Sequence, residues 1–165
     1  MRTTTTAAAE IRAALKASGI SSRQVSVRAE YFSLGSALRI QVKDPTVSLA
    51  TVEVIAQPHE HIRRDETGEI LGGGNTHLSV RYSDEALQAL GKRYEEAVHQ
   101  AWNALHADSA RPSTLAPIGE TGYFLGWPAT GRLTLWSERG HVCDDYDIAG
   151  IAKSLAIARD AQGML

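Results

Sequence analysis

The sequence is poor in cysteine and in aromatic residues, and it has no long apolar run. Its single cysteine, Cys143, excludes an internal disulfide framework and is typical of a reducing cytoplasm. No stretch approaches the roughly 18 consecutive apolar residues of a membrane span, and the N-terminal residues lack the apolar core of a signal peptide. We therefore expect a cytoplasmic protein without a membrane partner, long enough at 165 residues to bury its own core.

Neither sign of charge dominates the chain as a whole, but the two halves of the chain differ in charge. The formal net charge is −2, which is not typical of a nucleic-acid binder. Residues 1–82 nevertheless carry 10 Lys and Arg against 8 Asp and Glu, whereas residues 83–165 carry 7 against 11. The placement of the basic residues therefore matters more than their number.

Hydrophobic spacing predicts an α+β protein in which helices cover one face of an antiparallel sheet. A first helix, capped by Thr6 and ended at Gly19, precedes two alternating runs, QVSVRAEYF and SALRIQVK, that predict a hairpin with one buried face. Residues 44–58 show helical spacing up to Pro58, although their β-branched residues also suit a strand. A third alternating run, THLSVRYS, leads into a long helix capped by Ser83.

These elements indicate an αββαβα core module over residues 1–107. Residues 108–121, rich in Pro, Ala, Ser and Thr, are typical of a linker or surface crossing. A C-terminal ββα extension, a β-hairpin followed by a helix, is expected over residues 122–165 and is expected to pack on the core.

The outward positions of the first three strands form the clearest charged pattern. They are Ser26, Arg28, Arg39, Gln41, Lys43, His77, Ser79 and Arg81. Four are Arg or Lys, one is His and none is a carboxylate. Such a face attracts phosphate or an acidic protein surface. No aromatic residue lies mid-strand for base stacking, so contact with a nucleic-acid backbone is favoured over recognition of bases.

The stretch HEHIRRDETGEILGGGNTH, residues 59–77, contains the metal-ligand candidates His59, His61 and His77. Three imidazoles can hold zinc with an open position, which would make the protein a metal-dependent hydrolase. The spacing lacks the helical HExxH pattern, however, and the glycines lead into a strand instead of a helix, which excludes a P-loop. The alternative is a hairpin flap hinged on glycines that carries Arg63 and Arg64.

Two further groups have competing interpretations. The carboxylates of DDYD, residues 144–147, suit either the start of the last helix or a Mg²⁺ or Ca²⁺ site, and capping is the simpler role. Trp127 and Trp136 are typical of core residues, and a subunit interface is the alternative.

Residues from about 9 to 106 resemble the "large polyvalent protein-associated" domains found in polyproteins of phages and conjugative elements. The resemblance rests on the N-terminal helix, VSVRAEYFSLGSALRIQV, the VEVIA helix, and D-x-x-G-E-I-L-x-G-G-N leading into HLSVRYS. It implies a mobile-element protein that acts as a binder inside a bacterial cell. It transfers no catalytic residue, and the part from about residue 120 has no counterpart.

We therefore expect a small non-enzymatic binding module of a phage or other mobile genetic element, without a cofactor. Its partner would be nucleic-acid backbone or an acidic protein surface, and antagonism of host defence is one role open to it. The expected binding residues are Arg28, Arg39, Lys43, His77 and Arg81 on the sheet face and Arg63 and Arg64 on the flap. Two alternatives stay open, namely the hydrolase and a structural or oligomerising module built on the tryptophans.

Overall fold

The computed structural model describes residues 3–107, 115–126 and 132–163. These residues form four α-helices and two sheets, of three and four strands, so the predicted α+β class is confirmed. The chain divides into two compact units, residues 1–86 and 87–165. The long helix was predicted to belong to the core module of residues 1–107, whereas the residues of this helix from Leu87 onward belong to the second unit.

The first unit contains two helices, a 3-10 turn and one sheet. Its elements are α1 (Thr4–Ala17), β1 (Val25–Phe32), β2 (Gly35–Val42), α2 (Leu49–Ala56), the turn Gln57–His59 and β3 (Asn75–Tyr82). The central strand β2 pairs antiparallel with β1 and parallel with β3. The expectation of a purely antiparallel sheet is therefore wrong, because the chain crosses over through α2 and residues 57–74 before β3 begins.

One face of this sheet is apolar and packs against α1 and α2. Strand alternation places Val27, Leu38 and Ile40 on that face, and each is buried. From the helices, Ile11 and Val52 contribute fully buried side chains. Burying a side chain of this size stabilises the fold by about 1.5–3 kcal/mol, so this apolar face contributes much of the stability of the first unit.

The helix ends follow from local hydrogen bonds. Thr3, and not the predicted Thr6, caps α1, because the Thr6 backbone N–H donates to Thr3 Oγ1 at 3.1 Å. The predicted stop at Gly19 is confirmed: its φ is +79°, and the Ile20 N–H donates to the Leu15 carbonyl at 2.9 Å.

The helical interpretation of residues 44–58 is confirmed, and the strand alternative is wrong. The helix α2 begins at Leu49, later than the predicted start at Asp44. The Asp44 carboxylate instead accepts hydrogen bonds from Thr46 N and Oγ1, at 2.9 and 2.7 Å, which form a turn before the helix.

The second unit contains most of a long helix, a four-stranded sheet and a last helix. Its elements are α3 (Asp84–Ala107), β4 (Leu115–Pro117), β5 (Tyr123–Gly126), β6 (Leu133–Ser137), β7 (Gly140–Asp145) and α4 (Ile148–Ala161). The strands pair in chain order and antiparallel. The predicted C-terminal hairpin is thus part of a four-stranded sheet. Its strand β4 lies within residues 108–121, which were predicted to be a linker. Residues 108–114 of that linker are outside the described residues.

The core of this unit joins both helices to the sheet. Val98 of α3, Leu125 and Leu135 of the sheet, and Ile151 and Leu155 of α4 belong to one buried cluster. The predicted cap of α3 is confirmed, because Ser83 Oγ accepts a hydrogen bond from the Ala86 N–H at 3.2 Å. Among the described helices, none has the length and apolarity that a membrane crossing requires.

Candidate functional site

The polar face of the first sheet carries the predicted basic residues in aligned rows. The strand register places Arg28 of β1 beside Arg39 of β2 and Arg39 beside Ser79 of β3. Two residues further along β2, Gln41 lies beside Arg81. Neighbouring strands are about 4.8 Å apart and alternate residues about 6.7 Å apart, and the three arginines are exposed. We call this surface the basic face; Lys43, exposed directly after β2, extends it.

Two like charges oppose each other at the centre of the basic face. Arg28 and Arg39 are direct cross-strand partners. Like charges in this position destabilise a sheet, and cross-strand pairs of this kind are worth about 0.2–1 kcal/mol. Within the described part of the chain, Arg28 makes no ion pair. The strand register therefore opposes two like charges, one of which, Arg39, is partly compensated by Glu30. A bound anion would relieve the repulsion that is left.

Glu30 corrects the prediction that this face has no carboxylate. It lies two residues beyond Arg28 on the same side of β1, and its carboxylate forms an ion pair with Arg39 Nε. Both side chains are about half exposed, at 45% and 53%, so solvent weakens the pair. The alternation that identified Arg28 also predicts Glu30, which was overlooked.

An aromatic pair lies at one end of the basic face. Phe32 is the last outward residue of β1 and is 49% exposed. Its ring stacks on His77, with centroids 6.2 Å apart and an interplanar angle of 28°. An exposed ring beside cations is a surface on which a nucleobase can stack. The alternation of β1 places Phe32 on this face, whereas its contact with His77 depends on the pairing of the strands.

The predicted flap is a short hairpin beside β3. His61 and Thr76 exchange two backbone hydrogen bonds, of 2.9 and 2.7 Å, and the Leu71 N–H donates to the Arg63 carbonyl at 2.9 Å. At the turn, the Asp65 carboxylate accepts hydrogen bonds from the hydroxyl and the N–H of Thr67 and from the N–H of Glu69. These bonds, the Thr67 hydroxyl first, hold the pKa of Asp65 below its usual value.

The two arginines of this hairpin have different surroundings. Arg64 Nη1 donates to the Gly68 carbonyl at 2.8 Å, within the hairpin itself. Arg63 lines a cavity of about 770 Å³ together with His59 and His61. Neither arginine is part of the strands that carry the basic face.

This cavity lies on the helix-covered side of the sheet. The first turn of α1, the start of β2, residues 59–63 and residues 74–76 surround it. Three hydroxyls form a chain along its wall: Thr4 Oγ1 lies 2.6 Å from Ser36 Oγ, which lies 3.1 Å from Thr76 Oγ1. The cavity therefore has one wall that carries hydroxyls, and among the described residues that line it Arg63 is the one permanent cation.

The three candidate metal ligands do not converge. His59 and His61 line the cavity, whereas His77 stacks on Phe32 at the basic face. In the described ranges, no three His, Cys, Asp or Glu side chains are placed to hold a metal ion. His59 instead has its Nδ1 3.5 Å from the Glu10 carboxylate.

The carboxylates of residues 144–147 have separate partners. Asp147 caps α4, because its Oδ1 accepts the Gly150 N–H at 2.7 Å. Asp144 Oδ1 lies 2.8 Å from His141 Nε2, and Asp145 Oδ1 accepts the Tyr146 N–H. The capping interpretation is confirmed for Asp147.

Cys143 and Trp136 lie in environments typical of structural residues. Burial raises the pKa of the Cys143 thiol, which disfavours the nucleophilic thiolate. The half-buried Trp136 donates from Nε1 to Thr134 Oγ1 at 3.0 Å. The other tryptophan of the oligomerisation hypothesis, Trp127, lies outside the described residues.

Comparison with known proteins adds no relative: no family model, no curated protein and no solved structure matches the chain. Indications of function therefore come from the geometry of the first unit.

Proposed function

We propose that the protein is a non-enzymatic binding module whose basic face holds single-stranded nucleic acid. The observation that carries this proposal is the opposed pair Arg28 and Arg39. A phosphate between two guanidinium groups accepts hydrogen bonds from both and removes their repulsion. Arg81 and Lys43 continue the cationic surface, so successive phosphates of one strand have partners on it.

Phe32 favours nucleic acid over an acidic protein as the partner. Single-stranded nucleic acid binders combine cations for the backbone with aromatic rings for the bases. The exposed Phe32 ring, stacked on His77, supplies one such ring at the end of the cationic rows. One ring gives affinity without much sequence preference, because every base can stack.

The biological context of the proposal rests on the resemblance to phage and conjugative-element domains. A module of this kind, in the cytoplasm of a bacterium, would cover single strands that belong to the mobile element or to its host. Occupation of a strand that a host defence system needs would make the module an antagonist of that system.

The direct test replaces Arg28, Arg39 and Arg81 together with Glu and measures binding by fluorescence anisotropy. The probes are labelled single-stranded DNA, single-stranded RNA and double-stranded DNA across a salt series. Each phosphate contact contributes about −0.7 to the slope of log affinity against log salt for single strands, so the variant should lose about 2 units of slope. Arg23→Glu is the matched control, because Arg23 is exposed and lies outside the strands.

A second variant separates base stacking from charge. Phe32→Ala should weaken single-strand binding about 5- to 150-fold, the equivalent of roughly 1–3 kcal/mol per stacked base, and leave the salt slope unchanged. Absence of binding by the parent at low salt, or equal binding by the triple variant, contradicts the proposal. Binding of polyglutamate that matches that of the oligonucleotides and ignores Phe32 would favour an acidic protein instead.

A further inference from the structure

The cavity of the first unit has the size of a small-molecule site. Its volume is about 770 Å³, within the roughly 300–1,000 Å³ typical of ligand pockets. Four separate segments of the chain build its walls, so it is a product of the tertiary fold and not of one loop. Among the described residues that line it none is Asp or Glu, although the Glu10 carboxylate lies 3.5 Å from Nδ1 of the lining residue His59.

Arg63 provides an unused cation at this cavity. Within the described residues, its guanidinium makes no hydrogen bond or ion pair. Its backbone is nevertheless fixed, because the Arg63 N–H donates to Asn75 Oδ1 at 2.8 Å. Asn75 is 4% exposed and donates from Nδ2 to the Leu71 carbonyl at 2.8 Å. The backbone of Arg63 is thus held in place, while no described residue accepts a hydrogen bond from the five N–H donors of its guanidinium.

The rest of the cavity combines a few neutral donors with a larger apolar surface. The hydroxyls of Thr4, Ser36 and Thr76 form a hydrogen-bonded chain, and hydroxyls can turn to donate to a ligand oxygen. His61 is exposed at the same cavity, and His59, with a side chain 11% exposed, borders it. This combination supplies several donors and one permanent positive charge.

From these features we propose that the cavity binds a phosphate monoester of about mononucleotide size. A phosphate group presents three terminal oxygens, and the arginine fork matches two of them. The hydroxyl chain and the histidines supply donors for the third oxygen and for a sugar. The site lies on the helix-covered side of the sheet, so it does not depend on nucleic-acid binding at the basic face.

Isothermal titration calorimetry of the full chain tests the site with defined probes. The probes are adenosine 5′-monophosphate, ribose 5-phosphate, inorganic phosphate, adenosine and succinate. We expect the two phosphate esters to bind and adenosine and succinate not to. Equal affinities of the two esters would identify phosphate and sugar as the recognised groups, and tighter binding of the nucleotide would identify the base as well.

The variant Arg63→Gln should weaken ester binding at least about tenfold, because it removes the charge but keeps an amide donor. Arg23→Gln, an exposed arginine of the same unit, is the matched control, and circular dichroism verifies that each variant is folded. The proposal is overturned if neither ester binds, if Arg63→Gln binds as the parent does, or if succinate binds as tightly as the esters.

Discussion

Replacement of Arg28 should change the stability of the fold and its affinity for nucleic acid in opposite directions. Arg28→Gln removes one of two like charges that face each other across β1 and β2. Two unit charges about 6 Å apart in water repel by about 0.7 kcal/mol, which agrees with the roughly 0.2–1 kcal/mol measured for cross-strand pairs. Because Glu30 pairs with Arg39 and offsets part of this repulsion, the free energy of unfolding should rise by at most about 0.7 kcal/mol at low salt, while nucleic-acid binding weakens.

Urea unfolding followed by far-ultraviolet circular dichroism measures this change. Tryptophan fluorescence is unsuitable, because all three tryptophans belong to the second unit. At about 1 M salt the Debye length is only about 3 Å, so the gain should vanish there. Arg23→Gln should change the unfolding free energy at neither salt concentration. Loss of stability in Arg28→Gln, or a gain that persists at high salt, would refute repulsion as the cause.

Three further predictions follow from contacts of the first unit. Glu30→Gln removes a negative charge from the basic face and should tighten single-strand binding about 2- to 5-fold at low salt, since a charge about 7 Å from a bound phosphate is worth about 0.6 kcal/mol in water. Weaker binding of the variant in the anisotropy assay would contradict this prediction. Gly35→Ala should lower the unfolding free energy by about 1–3 kcal/mol, because the added Cβ would lie 2.8 Å from the Asn75 carbonyl oxygen; an unchanged melting temperature would exclude this clash. Hydrogen bonds, that of the Thr67 hydroxyl first, hold the pKa of Asp65 below its usual value, so ionised Asp65 stabilises the hairpin above the unfolded pKa and ceases to do so as pH falls through the lowered native pKa. An NMR titration that finds a native pKa at or above the usual value would disprove it.

Strand periodicity is a local property, and it predicted the faces of the first sheet correctly. Val27, Leu38 and Ile40 are buried, and Arg28 and Arg39 are exposed, as alternation requires. Strand direction is not local. The parallel pairing of β2 and β3 depends on the crossover between them, which no run of residues encodes by itself. Short strands are equally hard to predict, because the three residues of β4 hold less than two periods of alternation.

The two candidate sites also differ in how far they could be predicted from local sequence. The basic face was predictable because its residues alternate within strands, and the same alternation, continued to the end of β1, places Glu30 and Phe32 on that face. The cavity at Arg63 was not predictable. It exists because Thr76 pairs with His61 and thereby places the hairpin beside the first turn of α1, a contact between residues far apart in sequence.

The edges of the first sheet bear on how a partner can bind. A three-stranded sheet has two edge strands, and an open edge can accept a strand from another chain. At the edge of β3, His61 already bonds to the backbone of Thr76. At the edge of β1, the Arg12 guanidinium donates to the Val27 carbonyl. A group of the protein itself thus occupies part of each edge, at Val27 and at Thr76, which disfavours addition of a partner strand at these two positions.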